Sequence, residues 1–208
     1  MTIRYDKERW RATHENGQIA LSELAPISPQ FFDTDLNGPA MMHPEAAAAA
    51  SAMFAAARAD GITELRVVYS YRTLATQKIK WANFQAGGNL AAIPGTSNHG
   101  WAVALDLGGL TDRALAWLRN NMRRFGFIND VSSENWHVTY QENIWNGEIP
   151  EEGDAELEKF MEGWRDYVAA LKKHDGVDPG TAPDWPDEHR KFGWNAARFA
   201  ANNPTPKR

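Results

Sequence analysis

The stretch SNHGWAVALDLGG, Ser97 to Gly109, decides how the rest of the chain is read. It sets a histidine in a small polar turn, runs apolar, and reaches an aspartate seven positions after the histidine. Trp101 to Leu107 is nearly continuous in apolar character, which predicts a strand in a sheet interior or covered on both faces. Side chains alternate along a strand, so an offset of seven on one continuous strand would put His99 and Asp106 on opposite faces. His99 is therefore expected ahead of the strand, in the Asn98-His99-Gly100 turn. Asp106 is expected to share its face with Ala102 and Ala104, two small residues that leave room beside it.

A second stretch, SENWHV, places Glu134 three residues before His137. The same parity puts Glu134 in the loop leading into the strand that carries His137. The chain has six histidines (His14, His43, His99, His137, His174 and His189), and only His99 and His137 sit near carboxylates in a compact apolar context. Two neutral imidazoles and one carboxylate give zinc three ligands and leave a tetrahedral position open, as a catalytic zinc needs for its water. A carboxylate that does not bind the metal would then serve as general base. An aspartate at a strand end and two ordinary histidines account for this spacing at least as well.

The surrounding sequence supplies a scaffold. LRVVYSYR, Leu65 to Arg72, is rich in β-branched and aromatic residues and predicts a strand. EAAAAASAMFAAARADG predicts a helix over 44–59, opened by Pro44 and stopped by Asp60-Gly61. LATQKIKWANFQAGG predicts another over 74–88, with Leu74, Lys78 and Trp81 on one side and Gly87-Gly88 as its stop. Asp112 to Phe125 predicts a helix with Leu115, Leu118 and Met122 at core spacing, closed by Gly126. FIND then leads into VSSENWHVTYQ, whose second half alternates as a strand. Strands and helices mix without regular alternation, which points to an α+β fold.

Residues 1–40 carry turn signals and few periodic runs and are expected to form an N-terminal arm, with the main domain over 41–147. From 148 to 208 the texture changes. A charged amphipathic helix with a stripe of Phe160, Trp164, Tyr167, Val168 and Leu171 precedes a proline-rich linker and a short last helix. This C-terminal helical extension is expected to dock on its own domain, with a partner chain as the alternative.

Composition narrows the chemistry. The 208 residues are 43% hydrophobic and 24% charged, a globular balance, and a net charge of −5 gives no electrostatic basis for nucleic-acid binding. Cysteine is absent, so any metal must be held by His, Asp or Glu. No segment has signal-peptide or membrane-spanning character.

SYRTLATQ, PGTSNHGWAVALDL and SENWHVTY, in that order and spacing, resemble the zinc D-alanyl-D-alanine carboxypeptidases. That family includes vancomycin-resistance D,D-peptidases and phage endolysins, and shares the hedgehog/DD-peptidase fold. The resemblance covers about residues 40–142 and implies a small, mostly antiparallel central sheet with flanking helices. It implies one zinc per chain on His99, Asp106 and His137, with Glu134 as acid/base and Arg72 stabilising the oxyanion or holding a substrate carboxylate. Gln77 and Ser97 match polar residues that shape the pocket or bind substrate; capping its own turn is an equal reading for Ser97.

The chain departs from the family pattern at Ser70 and Ala102, where glycine is usual, and at Asn135 and Val138, where Pro and Trp are frequent. The implied substrate is a peptidoglycan stem peptide or cross-link. The SNHGW variant resembles enzymes of actinobacteria and their phages, which implies a cytoplasmically made phage lysin or virion-borne hydrolase acting at the cell wall. A zinc module without catalysis, for example a phage tail component, is the other class of function compatible with these ligands. It would need neither Glu134 nor Arg72.

Overall fold

A computed structural model describes residues 4–27 and 40–147; the C-terminal helical extension and its apolar stripe lie outside the described residues. A short helix, α1 (Lys7–Thr13), leads through a 3-10 turn (Leu21–Glu23) to the two-residue strands β1 (Ala25–Pro26) and β2 (Met41–Met42), which pair antiparallel. The long helix α2 (Pro44–Ala59) is followed by β3 (Arg66–Tyr69), α3 (Leu74–Gln85), a 3-10 turn (His99–Trp101) and β4 (Ala104–Gly108). Then come α4 (Asp112–Asn121), a 3-10 turn (Met122–Phe125), β5 (Phe127–Ile128) and β6 (His137–Tyr140). The four later strands form one antiparallel sheet in the order β3-β4-β6-β5. The fold is α+β, with helices around a small antiparallel sheet. Among the described residues, no helix is long and apolar enough to cross a membrane.

The alanine-rich run folds as its composition dictates. Ala46, Ala49, Ala50, Met53, Phe54 and Ala57 recur at helical spacing and are buried, giving α2 an apolar face of mostly methyl-sized side chains. That face packs on β1, β2, α4 and the 3-10 turn that follows α4. Pro44 occupies the first turn, where its missing N–H has no intrahelical partner in any case. The cap is His43, whose Nδ1 accepts from the Glu45 N–H at 3.2 Å.

The N-terminal segment belongs to the same core as the sheet. Tyr5, Trp10, Ile19, Leu24 and Ile27 are buried in the cluster that contains Leu105, Val138 and Tyr140. α1 is seven residues long and buries only Trp10, so no apolar period exists there to read.

His43 carries a consequence for acid stability. It is 1% exposed, and burial, with a smaller push from the charge of His14, lowers its pKa from 6.5 to about 4. Protonation would also take away the lone pair that caps α2. Because the unfolded chain binds this proton more readily, the contribution is fully present above pH 6.5 and is lost as pH falls through about 4. We expect unfolding free energy to drop by about 3 kcal/mol over that window on account of His43 alone. Urea titrations at pH 7 and pH 4 should show this portion missing in His43→Asn, which keeps a neutral cap.

Candidate metal centre

Sheet register brings the first two site residues together. Asp106 on β4 lies directly opposite His137 on β6, so both side chains leave the sheet on the same face. His137 Nδ1 is 3.0 Å from Asp106 Oδ1. The third arrives from the 3-10 turn ahead of β4, as strand parity demands, with His99 Nε2 3.2 Å from the same oxygen. The His99 ring is fixed from behind, since its Nδ1 lies 2.7 Å from the Ser70 carbonyl, to which it donates. That leaves the Nε2 lone pair facing Asp106.

β4 begins at Ala104 rather than at Trp101. Ala102, which the sequence reading placed on the strand beside Asp106, instead caps the 3-10 turn in the left-handed region, at φ 58°, and is fully buried. Only Ala104 then shares the strand face with Asp106. The glycine usual here would adopt that backbone without penalty, so the alanine's effect falls on the main chain and not on the pocket. The strain of about 1–2 kcal/mol is largely offset by burial of the methyl, about 0.8 kcal/mol, and by the entropy a glycine would lose, about 0.5–1 kcal/mol. Ala102→Gly is therefore expected to change unfolding free energy by less than about 1 kcal/mol and to leave activity unchanged. A large activity change, measured alongside a denaturation curve, would show that the methyl does shape the site.

The turn holding His99 is clamped by the N-terminal segment. Asn16 Nδ2 donates to the Ser97 carbonyl at 2.8 Å, and the Gly17 N–H donates to the Gly100 carbonyl at 2.8 Å. A Cβ at position 100 would lie 2.1 Å from Asn16 Oδ1, which accounts for glycine after the histidine. Ser97 is buried at the head of this turn, and its carbonyl also accepts the Gly100 N–H at 3.0 Å.

Arg72 follows β3 and reaches Asp106 from the other side, with Nη2 3.6 Å from Oδ2. Burial works against its charge and lowers its pKa, while Asp106, Tyr69 and Glu134 favour the charged form. Its Nη1 donates to Gln77 Oε1 at 3.1 Å, and Gln77 Nε2 donates in turn to the Ala92 carbonyl at 2.6 Å. Gln77 is the one buried residue of α3. Both ends of its amide are used inside the protein, where it braces Arg72 against the 86–96 loop. Burial alone would raise the pKa of Asp106, but the contacts it makes with the His137 and His99 rings outweigh it and hold the carboxyl well below the usual range. The His99 pKa is lowered, chiefly by burial, which keeps that ring neutral and available as a ligand.

Glu134 lies in the turn before β6, where Asn129 Nδ2 donates to its carbonyl at 2.6 Å and to the His137 carbonyl at 2.7 Å. Among the described residues, His99, Asp106 and His137 form the group whose potential ligand atoms converge, all within 4.8 Å of one another, and Glu134 is outside it. Zinc bonds of about 2.0–2.1 Å in a tetrahedron place ligand atoms about 3.3 Å apart. The observed 3.2 and 3.0 Å separations fit that edge length, and the donor set of two imidazoles and a carboxylate fits the metal.

Comparison with known families matches the chain to VanY, D-alanyl-D-alanine carboxypeptidase, over residues 39–143. The chain belongs to this family. Three solved structures are similar to the chain. The LD-carboxypeptidase LdcB, in a structure described as revealing the molecular basis of peptidoglycan recognition, is 25% identical at a TM-score of 0.50. The match covers 61% of this chain and 71% of that one. The vancomycin resistance D,D-pentapeptidase VanY, in complex with Zn(II), is 25% identical over 81% of this chain and 96% of its own, at a TM-score of 0.42. VanYB in complex with D-alanine-D-alanine is 25% identical over 73% of this chain and 88% of its own, at 0.41. No curated protein matches the chain. As a member of the carboxypeptidase family it is a peptidase, and the three converging side chains lie within the matched residues.

Proposed function

We propose that the chain is a zinc-dependent peptidase that hydrolyses an amide bond in the stem peptide or cross-link of peptidoglycan. The observation that carries this reading is the convergence of His99 Nε2 and His137 Nδ1 on one oxygen of Asp106, with Arg72 at the other. Zinc, when bound there, polarises the scissile carbonyl and lowers the pKa of a water toward neutrality. Glu134, outside the ligand set, takes a proton from the attacking water and hands it to the leaving amine. Arg72, pinned by Gln77, offers guanidinium N–H donors to the negative charge that develops on the carbonyl oxygen.

A zinc module without catalysis is disfavoured by the same arginine. Burying a guanidinium beside a carboxylate ligand costs desolvation that a purely structural site has no use for. Recognition of peptidoglycan by LdcB supports the wall as substrate. We further propose, from the SNHGW form of the histidine turn, a phage lysin or virion-borne hydrolase, made in the cytoplasm and acting at the host wall.

The test is to quantify bound metal in the purified chain and incubate it with purified peptidoglycan, reading released fragments by mass spectrometry. Zinc near one per chain, together with release of an amino acid or a peptide, is the expected result. Metal-free protein that leaves the wall intact would refute the proposal. The masses of the fragments identify the bond.

A further inference from the structure

The FIND stretch ends in Asp130, a residue with no part in the chemistry so far. Its carboxylate nevertheless lies behind the metal centre. Thr139, two residues after His137 on β6 and so on the same face, donates from Oγ1 to Asp130 Oδ1 at 2.8 Å. His137 Nε2 lies 3.2 Å from that hydroxyl and 3.6 Å from the carboxylate oxygen itself. Asn98, just ahead of His99, donates from Nδ2 to Asp130 Oδ2 at 2.9 Å and to Thr139 Oγ1 at 3.3 Å.

We propose that Asp130 is a positioning residue for the metal centre, acting through Thr139 to hold His137 in the tautomer whose Nδ1 lone pair faces the metal position. This rests on the metal reading of the site. A neutral imidazole carries one N–H, and its second nitrogen ligates only when the first holds the proton. The Thr139 hydroxyl has one hydrogen, and an ionised carboxylate beside it can only accept. With that hydrogen committed to Asp130, the hydroxyl presents lone pairs to the ring, so Nε2 must be the donor. His99 achieves the same end with the Ser70 carbonyl, a main-chain acceptor that no substitution removes. At His137 the acceptor is a side-chain relay, and the relay can be cut.

Asp130 also ties the β5–β6 loop to the histidine turn, so stability alone does not separate positioning from scaffolding. Outer partners of metal-bound histidines typically contribute 10–100-fold in affinity, and the partly exposed Asp130 carboxylate points to the lower end. The experiment uses the full chain and zinc itself, with affinity measured by competition with a chromophoric chelator. Asp130→Ala and the isosteric Thr139→Val are expected to weaken zinc binding about tenfold, while Thr139→Ser, which restores the hydroxyl, stays close to wild type.

Long-range 1H–15N spectra of the metal-free protein supply a second readout. They should show one Nε2–H tautomer at His137 in the wild type and a mixture in Asp130→Ala. Unchanged zinc affinity in both variants, or a single unchanged tautomer in Asp130→Ala, would overturn the proposal. If the wild type bound no zinc, the metal reading would fail, and the His137 tautomer would decide on Asp130 alone.

Discussion

Glu134→Gln is expected to retain about one zinc per chain and to lose about a thousandfold in turnover on peptidoglycan. Glutamine keeps the size and the turn of the original residue. The turn is held by main-chain contacts, from Asn129 to the Glu134 carbonyl and from Glu134 N–H to the Val131 carbonyl, so the fold has no reason to change. What disappears is a basic oxygen able to accept a proton from water and later release it to the amine. Removing a general base typically costs between about a hundred- and ten-thousandfold. Metal analysis and fragment release measured on the same preparation check both halves. Loss of zinc in this variant would make Glu134 a ligand, and undiminished turnover would remove it from the mechanism.

The larger effect belongs to Asp106. Its Oδ1 is the point on which both histidines converge, and its Oδ2 faces Arg72. Asp106→Ala deletes a ligand and the counter-charge of a buried guanidinium together, leaving Arg72 beside two imidazoles with no anion between them. We expect zinc content to fall below one-tenth of wild type and hydrolysis to fall to background, a greater loss than in Glu134→Gln. Chelator treatment of the wild type should reproduce the loss of activity, and added zinc should restore it there but not in Asp106→Ala. The contrast between a variant that keeps metal without turnover and one that keeps neither separates base from ligand. An Asp106→Ala protein that holds zinc normally would contradict the ligand assignment.

Strand parity carried the reading of the site a long way. It put His99 in the turn and Glu134 in the loop, and the structure has both there. The apolar run of the opening stretch predicted an interior strand, and β4 lies between β3 and β6. Cross-strand register is a different kind of information. Nothing in the residues states that Asp106 faces His137, because that depends on which strands become neighbours.

Ala102 shows another limit. A residue with a Cβ gives no sign that it will adopt a left-handed backbone, so the apolar run starts three residues ahead of the strand it contains. The described N-terminal residues, 4–27, show no apolar period in sequence because they meet the core through single anchors such as Tyr5, Trp10 and Ile19. In sequence, Asp130 is indistinguishable from any solvated loop carboxylate; only the fold sets Thr139 and His137 behind it. Resemblance alone marks Gln77 in the sequence, and its two hydrogen bonds reveal that it braces Arg72.

Asn16 and Gly17 sit where two pieces of the proposed site meet. The Gly17 N–H holds the turn of His99, and the Gly17 carbonyl accepts from the Leu74 N–H at the start of the helix that carries Gln77. The family pattern begins at residue 39, yet these two residues lie well before it. Recombinant versions trimmed to the recognisable motifs would discard the strap that keeps the histidine and the arginine in mutual alignment. The smallest functional unit thus begins earlier than the kinship does, and a recombinant version of this protein should start ahead of Tyr5.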